Sequence, residues 1–135
     1  MPYRSFSPFA ALLTHLTEPG ALPAVFHCSA GKDRTGLSAA LLLRLLGVPE
    51  EIVLDDYELS TTYRTQRRLV ELRPRFEEMG LDIERFVDFL SAPRPVLKAA
   101  LDQIKQHHGG VEGYLRNGGM DDSVPDRLRQ LLLEP

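Results

Sequence analysis

The chain has 135 residues, which is enough for one cored domain and too few for two. Its 43% hydrophobic and 26% charged residues suit a globular protein, and a net charge of -3 gives no global reason to expect nucleic acid or membrane binding. A single cysteine rules out an internal disulfide. That composition suits a reducing cytoplasm, the default location, and is equally compatible with export.

In chain order, Ser7 and Pro8 fit an N-cap and a first helical position, and Phe9, Leu12, Leu13 and Leu16 recur at helical spacing, so a helix is predicted over 8–18. Pro19 and Gly20 end it. The run from Leu22 to His27 is short, apolar and bounded by breakers, which predicts a buried strand over 22–27. A nearly all-apolar helix follows over 36–46, and such a helix must be covered on almost every side. With so little else to cover it, it is expected to keep an exposed side and to drive self-association or docking of a strand-bearing partner segment.

Gly47 and Pro49 separate that helix from the next, where Glu50 and Glu51 favour the positive helix end. The segment runs through DDYELS into an arginine-rich stretch over 64–75. Apolar residues at 83, 86, 87 and 90 mark a further element. Pro95 to His108 carries Leu97, Leu101 and Ile104 on one face, and short helices are predicted over Val111–Asn117 and Ser123–Leu133. No apolar run approaches the roughly 18 residues of a membrane span, so no integral membrane segment is expected.

The chemistry concentrates in AVFHCSAGKDRTGLSAALLL, residues 24–43. Cys28 ends the apolar run and Arg34 lies six positions on. Ser29, Ala30 and Gly31 are small enough for consecutive backbone N–H groups to turn inward as an anion-binding nest. The loop opens onto a helix start, whose free N–H groups favour negative charge, and Arg34 adds a planar fork for two phosphate oxygens. In such a field a thiol pKa falls to roughly 3.5–7.5, which makes Cys28 a nucleophile aimed at phosphorus. Thr35 is placed to donate its hydroxyl to the sulfur, and His27 to orient the loop. A nucleotide-binding P-loop is excluded, because Phe26 stands where its first glycine belongs and Asp33 follows Lys32. His15, His107 and His108 show no metal-ligand spacing, so neither metal nor cofactor is expected.

The string His27-Cys28-Ser29-Ala30-Gly31-Lys32-Asp33-Arg34-Thr35-Gly36 resembles the phosphate-binding signature of the cysteine-dependent protein tyrosine phosphatase superfamily. It is most similar to that of the bacterial enzymes that also hydrolyse phosphoserine, phosphothreonine and phosphoinositides. Asp56-Tyr57-Glu58-Leu59-Ser60 and Gly110-Val111-Glu112-Gly113-Tyr114-Leu115 resemble later segments of that group. The resemblance implies an α/β fold. Here it is mostly helical, with one strand over 22–27 feeding the phosphate loop and the remaining sheet absent from this chain. The whole of 1–135 then forms a single domain resembling the C-terminal catalytic portion of such a phosphatase: a fragment, a shortened product or half of a two-chain assembly.

The resemblance further implies Cys28 as nucleophile, Arg34 as transition-state clamp, and Ser29, Ala30, Gly31, Lys32, Thr35 and Gly36 as the substrate cradle. Asp33 is the proposed general acid in the most similar group. Its other reading is an ion-pair partner of Lys32 or Arg34 that only shapes the loop, and Asp55 and Asp56 are further candidates for the acid or for positioning water. Lys32, together with Arg64, Arg67, Arg68, Arg73 and Arg75, favours multiply phosphorylated or acidic substrates, either phosphorylated proteins or phosphoinositides. The bland reading of those arginines is a solvated helix face. The rival to catalysis is an inactive phosphate-binding or interaction module.

Overall fold

The computed structural model describes residues 7–27, 33–87 and 94–134. Six α-helices and one 3₁₀ turn make up its regular structure, and no strand occurs among the described residues.

Helix α1, Pro8–His15, starts on a proline whose missing N–H would have no helical partner anyway, and it buries Ala10 and Leu13. Its backbone is tied to the far end of the chain where Ser7 N–H donates to Gly118 O at 2.8 Å. Helix α2, Asp33–Leu45, begins with the last four residues of the signature. Helix α3, Glu50–Glu78, is a single run of 29 residues with two glutamates in its first turn. Pro74 lies inside α3, where the ring removes one N–H from the ladder, and the carbonyl four residues back belongs to the exposed Val70. The 3₁₀ turn Ile83–Phe86 folds back on α3 through an edge-to-face contact of Phe76 with Phe86 at 5.2 Å and an Arg73–Glu84 ion pair at 2.9 Å. Of the element predicted from 81 to 90, positions 88–90 lie outside the described residues.

Helix α4, Arg94–His108, buries Leu97, Leu101 and Ile104, the face predicted from their spacing. Helices α5, Val111–Asn117, and α6, Val124–Leu132, close the chain within a residue or so of expectation. The break between α4 and α5 is made by Gly109 and Gly110, both at positive φ (77° and 144°), where a side chain would be strained.

Two corrections follow. The segment 22–27 is not a strand. Its backbone finds no ladder among the described residues, and Val25, expected inside, is 94% exposed. An apolar run between breakers becomes a strand only where a neighbour takes its N–H and C=O groups, and the described fold is helical throughout. Nor does the apolar helix keep an exposed side: every residue from Gly36 to Leu46 is buried or half-buried.

The reason is that α2 lies between two hydrophobic clusters. Leu41 and Leu45 join Leu13, Leu115 and Leu128 in one, while Ala40 joins Val53, Leu54, Tyr57, Leu97 and Leu101 in the other. Leu37 and Val111 pack against both. At its C-terminal end the chain's own guanidinium groups meet free carbonyls: Arg129 Nη2 donates to Leu45 O at 2.9 Å and Arg44 Nη1 to Val48 O at 2.8 Å. With both flanks packed and one end capped, α2 is held firmly, and its N-terminal turn carries the signature.

Candidate active site at the head of helix α2

Of the predicted site, Cys28, Ser29, Ala30, Gly31 and Lys32 lie outside the described residues, and of Asp33 the backbone alone is described, as the first residue of α2. The described part is the first turn of α2, whose free N–H groups and dipole favour an anion.

Arg34 is exposed, and no carboxylate among the described residues pairs with it. Its carbonyl accepts a hydrogen bond from Ser38 Oγ at 2.7 Å, which ties the first turn to the second. Thr35 Oγ1 is buried and has no partner among the described residues. A buried hydroxyl left unpaired costs about 1–3 kcal/mol; Ser7 Oγ at the start of α1 is in the same state, and Thr35 differs from it in lying within the signature.

Gly36 explains why the turn sits where it does. A Cβ there would stand 2.7 Å and 3.0 Å from the Cε2 and Cδ2 ring carbons of Tyr57, closer than real side chains approach. The missing side chain lets α2 lie flush on the buried Tyr57 ring of α3. Tyr57 is the centre of the Asp56–Ser60 segment, so two separated stretches that resemble the phosphatases meet face to face. Sequence reasoning missed Tyr57 as a positioning residue. The available signal was a glycine closing the signature, which in a helix interior costs stability unless something approaches closely.

The aspartates after the signature helix separate. Asp55 is engaged by Arg94 of α4, whose guanidinium also reaches Glu51 at 2.5 Å and Glu58 at 3.5 Å. The hydrogen bond to Asp55, with the charges of Asp55 and Glu51 added, pushes the Arg94 pKa above its ordinary value and clamps α4 to α3. Asp55 is therefore a structural ion-pair partner. Asp56 is exposed and carries no ion pair among the described residues.

The arginines of 64–75 are exposed, and several are matched with acids: Arg67 and Arg68 with Glu71 at 3.4 and 3.5 Å, and Arg73 with Glu84 at 2.9 Å. Their positive field is partly neutralised by acids of α3 and of the 3₁₀ turn that follows it. His15 pairs with Glu18 at 2.8 Å and His108 with Asn117 at 2.9 Å, and no cluster of three or more metal-ligating side chains occurs among the described residues. No helix among them is long and apolar enough to cross a membrane.

Residues 1–134 match the tyrosine phosphatase family. The chain belongs to that family. It is 32% identical to the triple specificity protein phosphatase PtpB of Mycobacterium tuberculosis, with 82% of this chain and 44% of that protein aligned. It is 31% identical to a tyrosine-protein phosphatase of Nostoc commune, with 78% of this chain and 37% of the relative aligned. The chain thus spans less than half the length of these relatives.

Proposed function

We propose that this chain is the phosphate-binding and nucleophile-bearing part of a cysteine-dependent phosphatase acting on phosphate monoesters. The observation that carries the reading is the first turn of α2, six and seven residues after the signature cysteine: an arginine with no carboxylate partner and a buried threonine hydroxyl with no acceptor among the described residues. A thiolate at Cys28 would supply the missing acceptor for Thr35, and a phosphate dianion would engage Arg34.

In this mechanism the Cys28 sulfur attacks phosphorus, the bond to the leaving oxygen breaks, and that oxygen takes a proton. Water then attacks the phosphocysteine, releasing inorganic phosphate and regenerating the thiolate. Arg34 and the N–H groups of Ser29 to Gly31 hold the equatorial oxygens, where charge is spread in both steps, and Gly36 sets the turn against Tyr57. Asp33, first in α2, is the proton donor in this reading; Asp55 is engaged by Arg94, and Asp56 stays the alternative for the acid or for positioning water. Lys32 adds a point charge that favours acidic or multiply phosphorylated substrates. The resemblance of the signature suggests a range over phosphotyrosine, phosphoserine or phosphothreonine, and phosphoinositides, and the words triple specificity in the name of the Mycobacterium relative agree with a broad range. The cytoplasm is the proposed location. The second reading, an inactive phosphate-binding module, draws on the absence of any strand among the described residues.

The test is single-turnover hydrolysis of aryl and alkyl phosphates. Cys28→Ser is expected to abolish turnover while retaining binding of the ester, and Asp33→Asn to lose more rate as the leaving-group pKa rises. Turnover that persists in Cys28→Ser refutes the mechanism. Binding without turnover in the unaltered chain supports the inactive module. A rate loss in Asp33→Asn that is flat across the series removes Asp33 as the acid.

A further inference from the structure

The exposed apolar surface lies on α3, on the side turned away from α2 and α4. Ile52, Leu59, Tyr63 and Val70 are 56%, 58%, 66% and 75% exposed, whereas Val53, Leu54 and Tyr57 face the core. At about 100° per residue those four side chains fall within about 20° of a single line along the helix. Their spacing is seven, four and seven residues, which reads the same in both directions about the point midway between Leu59 and Tyr63. A stripe with that symmetry is complementary to itself turned end for end.

The charges agree with the same operation. Asp56 and Arg67 lie on one flank of the stripe, about 40° and 60° from its line, and an antiparallel two-fold pair of helices brings each flank against the same flank of its partner. Asp56 is five residues before the symmetry point and Arg67 six residues after it. In an antiparallel pair the two therefore come level to within about 1.5 Å, twice per dimer. A parallel two-fold pair would instead set each flank against the opposite one and leave Asp56 and the partner's Arg67 eleven residues, about 16 Å, apart along the axis, so it pairs neither charge. Asp56 has no ion pair among the described residues, and Arg67 is 85% exposed with only a 3.4 Å contact to Glu71.

We infer that a second copy of this chain covers the stripe, through antiparallel pairing of the two α3 helices about a dyad between Leu59 and Tyr63. Ile52 packs on Val70 of the partner subunit, Leu59 packs on the partner's Tyr63, and Asp56 pairs with the partner's Arg67. The apolar stripe itself is argued without the signature, while Asp56 and Arg67 are shared with the candidates named for the acid and for substrate charge.

Sedimentation equilibrium of the whole chain across micromolar to millimolar concentration is expected to show a monomer–dimer equilibrium that salt weakens. Val70→Arg is expected to give a monomer with unchanged melting temperature. Asp56→Arg and Arg67→Asp are each expected to weaken dimerisation about ten-fold, and the two together to restore it to within about three-fold. In a Cys28→Ser background, Ile52→Cys with Val70→Cys is expected to cross-link on oxidation. Either cysteine alone is not, because antiparallel pairing sets like positions about 27 Å apart. A chain that stays monomeric throughout, a dimer indifferent to Val70→Arg, a charge swap that fails to restore pairing, or cross-linking by a single cysteine each overturns the inference. A strictly monomeric chain would leave the stripe to a different partner.

Discussion

Replacing Gly36 with alanine tests whether the Tyr57 ring sets the position of the signature turn. The added methyl would lie 2.7 Å from one ring carbon and 3.0 Å from the next, where ordinary carbon contacts are about 3.5–4.0 Å. One partner must retreat by close to 1 Å. The ring is 7% exposed and packed in the cluster with Val53, Leu54, Leu97 and Leu101, so it has nowhere cheap to go. Overpacking of this kind costs about 1–3 kcal/mol, while alanine for glycine inside a helix gains about 1 kcal/mol. Gly36→Ala should therefore be neutral to about 2 kcal/mol destabilising with Tyr57 present. In a Tyr57→Leu background, where the ring edge is gone, it should be stabilising by up to about 1 kcal/mol. Urea unfolding of the four proteins gives the coupling between the two sites, expected near 2 kcal/mol. A coupling below about 0.5 kcal/mol would show that the ring and the turn are independent and refute the reasoning.

Val25→Asp should change stability by no more than about 0.5 kcal/mol in the same assay, because the side chain is already in water. A loss above about 2 kcal/mol would place Val25 in a buried ladder after all. Near α6, the Asp121 carboxylate accepts from Ser123 Oγ at 2.7 Å and Ser123 N–H at 2.9 Å, and these bonds hold its pKa below the ordinary 3.8. The unfolded chain then takes up that proton first as pH falls, so the stabilisation is present above 3.8 and is lost through and below it. Asp121→Asn should flatten the acid limb of a melting-temperature profile slightly and leave the neutral limb unchanged or a little lower. A steeper acid limb would contradict the assignment.

Much of the helical frame was legible because it rests on local signals. The 97–101–104 face, the Ser7–Pro8 start and the Gly47–Pro49 break depend on spacing and on residues whose backbone preferences act within one or two turns. The strand over 22–27 was misread because a strand is defined by what pairs with it, and an apolar hexapeptide says nothing about that partner. The exposed side expected on α2 failed for a related reason. Periodicity shows that a helix is apolar all round but not that two separate clusters approach it from either side. In the site, the string 27–36 carried the resemblance to the tyrosine phosphatases, the family that the chain matches. The engagement of Asp55 by Arg94 joins positions 39 apart, and the seat of Gly36 on Tyr57 is equally non-local, so neither was visible from spacing.

The placement of α2 between two clusters has a consequence for which substitutions the chain tolerates together. The helix works as a partition: its Leu41 side belongs to one compartment, its Ala40 side to the other, and Leu37 belongs to both. Enlarging a residue in one compartment pushes the partition toward the other, and at its head that displacement carries Arg34 and the seat of Gly36 with it. Close-packed interiors transmit such shifts instead of absorbing them. Volume changes around Leu13 or Leu128 should then survive best when matched by opposite changes around Leu97 or Leu54. The position of Arg34 is then governed from both clusters as well as from the turn that contains it.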